Sequence, residues 1–273
     1  MGKQRFHITT LGCAKNLVDS STISDFLEKA GFNQSQKQRF ADYVIINTCG
    51  FIHDAKQESL AEIQKASTKK RPGQKLIVTG CLSERYRESL LERLDGIDGL
   101  MGTRDLKQIL TLIEALGQGS AKPVALFPRQ ANLVFHPGAP AYAIQGKSSY
   151  LKLADGCRRS CRFCAIPGIK GSLVSRTQEA LLEDAQVLQS LGIKEINLIA
   201  QDVTDYGVDR GEKDGLASLL AALLPTIPKV PWLRMLYTYP GSISPALIEL
   251  MQGEPRLLPY LDIPLQHADP DVL

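Results

Sequence analysis

The sequence predicts an α/β protein, with an N-terminal open parallel sheet followed by an incomplete β/α barrel. Short, continuously apolar runs recur through the first part of the chain, as strands buried on both faces require. Each run is followed by an amphipathic helical stretch, which is the pattern of parallel βαβ units. The same alternation resumes after residue 148 at a wider spacing.

In chain order, "RFHITTLG" reads as the first strand, with a helix over 19–30 that closes on Gly31. "DYVIINT" (42–48) is the second strand, followed by a helix over 54–66. "KLIVTG" (75–80) is the third, with a helix over 83–94. A shorter strand near "GLMG" and a helix over 104–116 complete a domain spanning 1–120. Residues 121–147 are richer in Pro, Gly and small side chains and read as a linker carrying one or two short strands. From 148 to 273 the strands are "SYLKLA" (149–154), "EINLIAQ" (195–201), "WLRMLYT" (232–238) and "PYLDIPLQ" (259–266). Helices fit between them at 177–191, 216–224 and 245–251. A closed barrel of eight such units needs roughly 250 residues. About four units are present, and "HADPDVL" reads as the start of another helix, so the sequence is expected to be cut short.

The composition is that of a soluble globular enzyme, 44% hydrophobic and 22% charged. A net charge of +3 is too small for a nucleic-acid-binding surface, and direct nucleic-acid binding is not supported. The densest basic run, "STKKRPGQK" (67–75), contains Pro-Gly and reads as a solvated loop. No apolar run has signal-peptide or membrane-spanning length, which predicts a cytoplasmic protein with reduced thiols and no membrane partner.

The six cysteines fall into two groups. Cys13, Cys49 and Cys81 are far apart, yet each stands just beyond an apolar strand, in "ITTLGC", "VIINTC" and "LIVTGC". Ligands of open parallel sheets bind outside the strands' carboxyl ends, so three thiols there favour a shared site over three buried small hydrophobes. Gly12, Gly50 and Gly80 beside them let the backbone approach a bulky inorganic group closely.

Cys157, Cys161 and Cys164 are packed into "DGCRRSCRFCAIP" at C-x3-C-x2-C spacing, after the first strand of the predicted barrel. A structural zinc site wants a fourth Cys or His, and the neighbouring sequence offers none. An iron–sulfur cubane held by three thiolates keeps one iron open for chemistry. Barrels of this type place their active sites on that same face. Arg158, Arg159 and Arg162 either offset the cluster's negative charge or are solvated loop residues. Phe163 offers an apolar face to a flat ring or simply packs. Gln201 and Asp202 after the second barrel strand, and His267 after the fourth, fall on the expected catalytic rim, where they contact substrate or order loops. Tyr237 and Tyr239 either line the cavity or pack in the core.

The C-x3-C-x2-C triplet with an aromatic before its last cysteine resembles the radical S-adenosylmethionine superfamily, and a three-cysteine α/β domain before it resembles the methylthiotransferase branch. Within that branch, "LGCAKNLVDS", "NTCGFIHDAKQES", "VTGCLSERY", "IPGIKGSLVSR", "IAQDVTDYG" and "LDIPLQHADP" are similar to the RimO family. The tRNA-modifying relatives typically carry Gln-Met-Asn where this chain has "CAKN". The resemblance implies that Cys157, Cys161 and Cys164 hold a [4Fe-4S] cluster whose open iron binds S-adenosylmethionine, with Phe163 and Gln201 as further cofactor contacts. It implies a second [4Fe-4S] cluster on Cys13, Cys49 and Cys81 that presents or donates sulfur. The implied substrate is an aspartate β-carbon in a small-subunit ribosomal protein, and a reducing electron donor is an implied partner. A tRNA adenosine methylthiotransferase and a non-catalytic metal-binding protein or inactive fragment are the alternatives. Family members normally continue through the rest of the barrel into a small β-barrel domain of RNA-binding type, and neither follows here.

Overall fold

A computed structural model describes residues 3–119, 122–128, 134–269 and 271. Parts of two sequence expectations lie outside the described residues: 121 and 129–133 of the linker, and 270 and 272–273 of the helix start at the end of the chain. The chain divides into two compact units, Met1–Pro140 with Arg158–Ser172, and Ala141–Cys157 with Leu173–Leu273. Each is taken by itself below.

The first unit is built on a six-stranded sheet of β1 (Arg5–Thr10), β2 (Asn33–Gln34), β3 (Tyr43–Thr48), β4 (Lys75–Gly80), β5 (Gly99–Met101) and β6 (Val124–Leu126). Every pairing is parallel, in the order β2-β1-β3-β4-β5-β6. Its helices are α1 (Ala14–Lys29), α2 (His53–Thr68), α3 (Cys81–Tyr86), α4 (Gln108–Gly117) and α5 (Ile166–Lys170). Alternate strand residues face opposite sides of a sheet. Tyr43, Ile45, Ile77 and Met101 accordingly pack with Ile23 and Leu27 of α1 and Leu112 and Leu116 of α4. Val44, Ile46, Leu76 and Val78 pack on the other face with Ile63 of α2 and Leu82 of α3. Each such buried aliphatic contributes about 1.5–3 kcal/mol.

Three helices of this unit differ from the expectation. α1 begins at Ala14, directly after Cys13, and not at 19, which puts Asp19 inside the helix and buries it. The helix expected over 83–94 stops at Tyr86, because Arg87 takes φ +47 and a 3₁₀ turn follows. A positive φ with this extended ψ is sparsely populated and costs a non-glycine residue about 1–3 kcal/mol. It is held there by Arg87 Nη2 donating to buried Glu84 Oε1 at 3.0 Å and by the guanidinium lying over Phe127. α4 starts at Gln108 and not at 104; Arg104 instead donates to the carbonyls of Ile169 (2.9 Å) and Gly168 (2.6 Å) in α5. In the basic run, Lys70 and Lys75 both pair with Asp98, at 2.7 and 3.4 Å.

The second unit contains β7 (Tyr142–Gln145), β8 (Ser148–Lys152), β9 (Ala154–Asp155), β10 (Val174–Ser175), β11 (Glu195–Ile199), β12 (Trp232–Met235) and β13 (Leu257–Leu261). β7 and β8 form an antiparallel hairpin, so β7 belongs to this sheet although its residues fall within the expected linker. β8, β11, β12 and β13 then run parallel and neighbour one another in sequence order. They are joined through α6 (Gln178–Ser190), α7 (Gly215–Thr226) and α8 (Pro245–Gly253), the expected β/α alternation. Thr177 caps α6 by accepting from Ala180 N, and Ser244 caps α8 ahead of Pro245. Leu151, Leu181, Leu188, Ile196, Leu198, Leu220 and Leu233 form the core.

β12 and β13 both end earlier than expected, and hydrogen bonding explains why. Tyr237 turns away at φ +66, and Asp262 accepts from Tyr237 N through Oδ2 and from Thr238 N through its carbonyl. Among the described residues no helix is long and apolar enough to cross a membrane.

Candidate functional site

The order β2-β1-β3 means that the chain leaves β1 toward one edge and returns to β3 on its other side. Such a reversal opens the crevice in which open α/β sheets bind ligands. Cys13 and Cys49 leave the carboxyl ends of the two strands that flank it, and Cys81 leaves β4 beside them. The register carries this through, since Thr10 lies opposite Asn47, and Thr48 opposite Gly80.

Contacts bring the three thiols to one place. Cys13 Sγ and Cys81 Sγ stand 4.0 and 3.9 Å from the same atom, Asn16 Oδ1. A Cβ on Gly12 would lie 2.6 Å from Cys49 Cβ and 3.0 Å from its Sγ. A Cβ on Gly50 would lie 2.7 Å from Leu82 Cα, the residue after Cys81. Gly12 and Gly80 adopt φ +91 and +100, which side chains rarely tolerate. Cys49 and Cys81 are buried and Cys13 half-buried.

Two buried polar residues fix this arrangement. Asn16 Nδ2 donates to the carbonyls of Leu11 (2.7 Å) and Thr48 (3.0 Å), tying together the loops that carry Cys13 and Cys49. Ser59 Oγ accepts from Cys49 N (3.0 Å) and donates to Cys49 O (2.8 Å), clamping both sides of that residue.

Burial pushes the Cys81 thiol up to about 12; the Lys170 ammonium opposes this, and Asp19, Cys13 and Cys49 add to it. The Cys49 thiol is also raised, chiefly by burial, against hydrogen bonds from the backbone of Phe51 and Gly50. Burial keeps these two as thiols at neutral pH, and a bound metal group would make them thiolates. Among the described residues no three His, Cys, Asp or Glu side chains close around a single-ion point. A cubane takes its thiolates at separate corners, so it asks for a wider trio than one ion does. Three sulfurs around a glycine-lined crevice could hold such a group.

The second triplet lies beyond β8 and β9. Cys157 closes a segment of the second unit, whereas Cys161 and Cys164 stand in 158–172, which packs with the first. Cys164 N donates to Cys161 O at 3.0 Å, and all three cysteines are half-buried. Phe163 is 68% exposed, so it is not a packing residue here. Gln201 Nε2 donates to buried Asp155 Oδ1 (3.3 Å), two residues before Cys157, and Lys152 pairs with Asp155 Oδ2 (3.0 Å). Asp202 caps the turn after β11, accepting from Thr204 N (3.0 Å) and from the Thr204 hydroxyl. His267 is exposed, and its Nδ1 accepts from Asp269 N at 3.0 Å. Tyr239 is exposed, and Tyr237 sits in the positive-φ turn after β12.

A family model described as the radical SAM superfamily matches residues 151–273, and one described as uncharacterized protein family UPF0004 matches residues 5–102. Proteins described as ribosomal protein uS12 methylthiotransferase RimO align along nearly the whole chain. That of Roseiflexus sp. (strain RS-1) is 40% identical over 287 residues, 98% of this chain and 61% of the relative. That of Syntrophotalea carbinolica is 40% identical over 283 residues (99% and 60%). That of Chlamydia abortus is 39% identical over 273 residues (99% and 58%). The chain is similar to members of the radical SAM methylthiotransferase family. It spans about three-fifths of the length of these family members. Its fold is similar to that of the radical SAM methyltransferase TsrM from Kitasatospora setae, at TM-score 0.64 and 13% identity, over 99% of this chain and 60% of that one.

Sequence reasoning missed Asn16, Ser59, Asp19, Thr103 and Lys170. A signal for Ser59 existed in the sequence: it shares the buried stripe of α2 with Ile63 and Ala66, where an apolar residue is the default. We expect Ser59→Ala to strand the Cys49 N–H and cost about 1–3 kcal/mol. The measurements are a lower unfolding midpoint and faster amide exchange over 47–51.

Proposed function

We propose that the chain is the catalytic part of a radical S-adenosylmethionine methylthiotransferase that replaces hydrogen by a methylthio group at the β-carbon of an aspartate in a small-subunit ribosomal protein. The observation that carries this reading is the thiol trio at the β1/β3 switch point, on a chain whose second unit follows the radical SAM pattern. The choice of substrate rests on relatives described as ribosomal protein uS12 methylthiotransferases.

In this reading Cys13, Cys49 and Cys81 hold one [4Fe-4S] cluster, and Cys157, Cys161 and Cys164 hold the other. When bound, these clusters and S-adenosylmethionine would relay the electron and supply the hydrogen-abstracting power and the sulfur and methyl groups. The residues of the chain bind and orient. Asn16 and Ser59 fix the loops of the first trio. Lys152 and Gln201 hold Asp155, which bonds the Gly156 N–H at 3.0 Å and so sets the turn into Cys157. Phe163, exposed beside Cys164, offers a ring face to the nucleoside. An external reductant supplies electrons.

The test incubates the anaerobically reconstituted chain with S-adenosylmethionine, dithionite, sulfide and either a uS12 peptide or unmodified tRNA. The expected result is 5′-deoxyadenosine together with one methylthio group on the peptide aspartate, read by mass spectrometry. A methylthio group on tRNA adenosine with an unmodified peptide would favour the tRNA reading. Absence of 5′-deoxyadenosine in every mixture would contradict radical chemistry altogether.

A further inference from the structure

Lys170 is a buried cation of the first unit whose part in the site has yet to be assigned. It is 1% exposed, and its Nζ donates to Asp19 Oδ2 at 2.9 Å and to Thr103 Oγ1 at 2.8 Å. Thr103 Oγ1 in turn lies 3.3 Å from Asp19 Oδ2, and Thr103 N donates to Glu84 Oε2 at 3.1 Å. These contacts join three helices. Asp19 is on α1, which begins after Cys13; Glu84 is on α3, which begins at Cys81; Lys170 ends α5, six residues beyond Cys164. Arg104 fixes α5 from the other side through the Gly168 and Ile169 carbonyls.

Taking an ammonium out of water is costly unless it is paired and hydrogen-bonded, as Lys170 is by Asp19 and Thr103. A purely structural brace at this position would serve as well with an apolar pair, which often is no less stable. What an apolar pair cannot supply is a fixed charge. The charge of Lys170 is held among the helices that position two of the three thiols, since Asp19 lies on the helix that follows Cys13, and Glu84, reached through Thr103, lies one turn along the helix that begins at Cys81.

We propose that Lys170 is a positioning residue for the first cluster: its buried ammonium, aimed by Asp19 and Thr103, offsets the negative charge that three thiolates bring, and holds the reduced cluster within reach of the donor. The proposal rests on the reading that Cys13, Cys49 and Cys81 hold a cluster. Cluster potentials respond to net charge and to nearby hydrogen bonds, so the effect has a sign that can be measured apart from turnover.

The experiment uses the full chain carrying Cys157→Ala, Cys161→Ala and Cys164→Ala, so that all cluster iron belongs to the first trio. Its midpoint potential is titrated by EPR in this parent and with Lys170→Met, Lys170→Arg or Asp19→Asn added. Lys170→Met shifts the potential to more negative values, Asp19→Asn shifts it to more positive values, and Lys170→Arg stays with the parent. The opposed signs are what a mere brace would not produce, and the Asp19→Asn and Lys170→Arg arms decide the matter if Lys170→Met does not fold. Unmoved potentials, or shifts of the same sign, at full iron content overturn the proposal alone. A parent that binds no iron overturns the reading beneath it and the proposal with it.

Discussion

Changing Cys161 to Ala is expected to abolish reductive cleavage of S-adenosylmethionine while leaving the fold intact. Loss of a group that only orients a metal ligand already costs about 10–100-fold. Removing a ligand itself should therefore lower 5′-deoxyadenosine formation by more than about 100-fold. No spare thiol can replace it, because the sequence holds six cysteines and all six belong to the two trios. The side chain is half-buried, and its backbone carbonyl still accepts from Cys164 N at 3.0 Å, so the turn is kept. Substitutions that create no core cavity usually stay within about 0.5 kcal/mol, and the unfolding midpoint should not move. Retention of 5′-deoxyadenosine formation at the parent rate would remove Cys161 from the site.

Gly12→Ala is expected to empty the first trio and to destabilise the first unit. The new methyl would meet Cys49 Cβ at 2.6 Å and Cys49 Sγ at 3.0 Å, and the backbone would be held at φ +91. The left-handed conformation alone costs about 1–2 kcal/mol. The clash adds to this, because Cys49 cannot retreat: its N–H and carbonyl are both clamped by buried Ser59. The crevice must therefore open, separating Cys49 from Cys13. Gly73→Ala is the control. It has a similar φ of +80 but nothing within 4 Å of its added Cβ, so it carries the backbone strain without touching the trio. Iron content after reconstitution separates the two: Gly12→Ala loses the share held by the first trio, and Gly73→Ala keeps it. Equal iron in both would mean that the close approach at Gly12 does not shape the site.

How far the sequence reached depended on how local the determining forces are. β3 and β4 were legible because a strand buried on both faces must be continuously apolar, and β1 through Phe6 and Ile8 ahead of a Gly; the ends of the three located three cysteines without any tertiary information. β2, of two residues, and β6, of three, have no pattern of their own and exist through pairing with β1 and β5. The start of α1 was misplaced because "AKN" carries no apolar periodicity. Asn16 is buried there for its hydrogen bonds to two loops.

The break after Tyr86 was hidden for a similar reason. It depends on Glu84 being buried against Thr103 N, a contact 19 residues away that no helical pattern encodes. Lys170 was invisible as a partner of Asp19, since 151 residues separate them. Rim residues were identifiable by position but not by task. Asp202 proves to cap its own turn, and Gln201 braces Asp155.

The central claim is that each cysteine trio holds its own cluster, and counting iron and sulfide per chain after anaerobic reconstitution tests it most directly. The account predicts about eight of each in the parent chain, falling to about four when Cys13, Cys49 and Cys81 are changed to Ala and again to about four when Cys157, Cys161 and Cys164 are changed. Iron that stays at the parent level after loss of Cys13, Cys49 and Cys81, or one zinc per chain in place of iron, would contradict it.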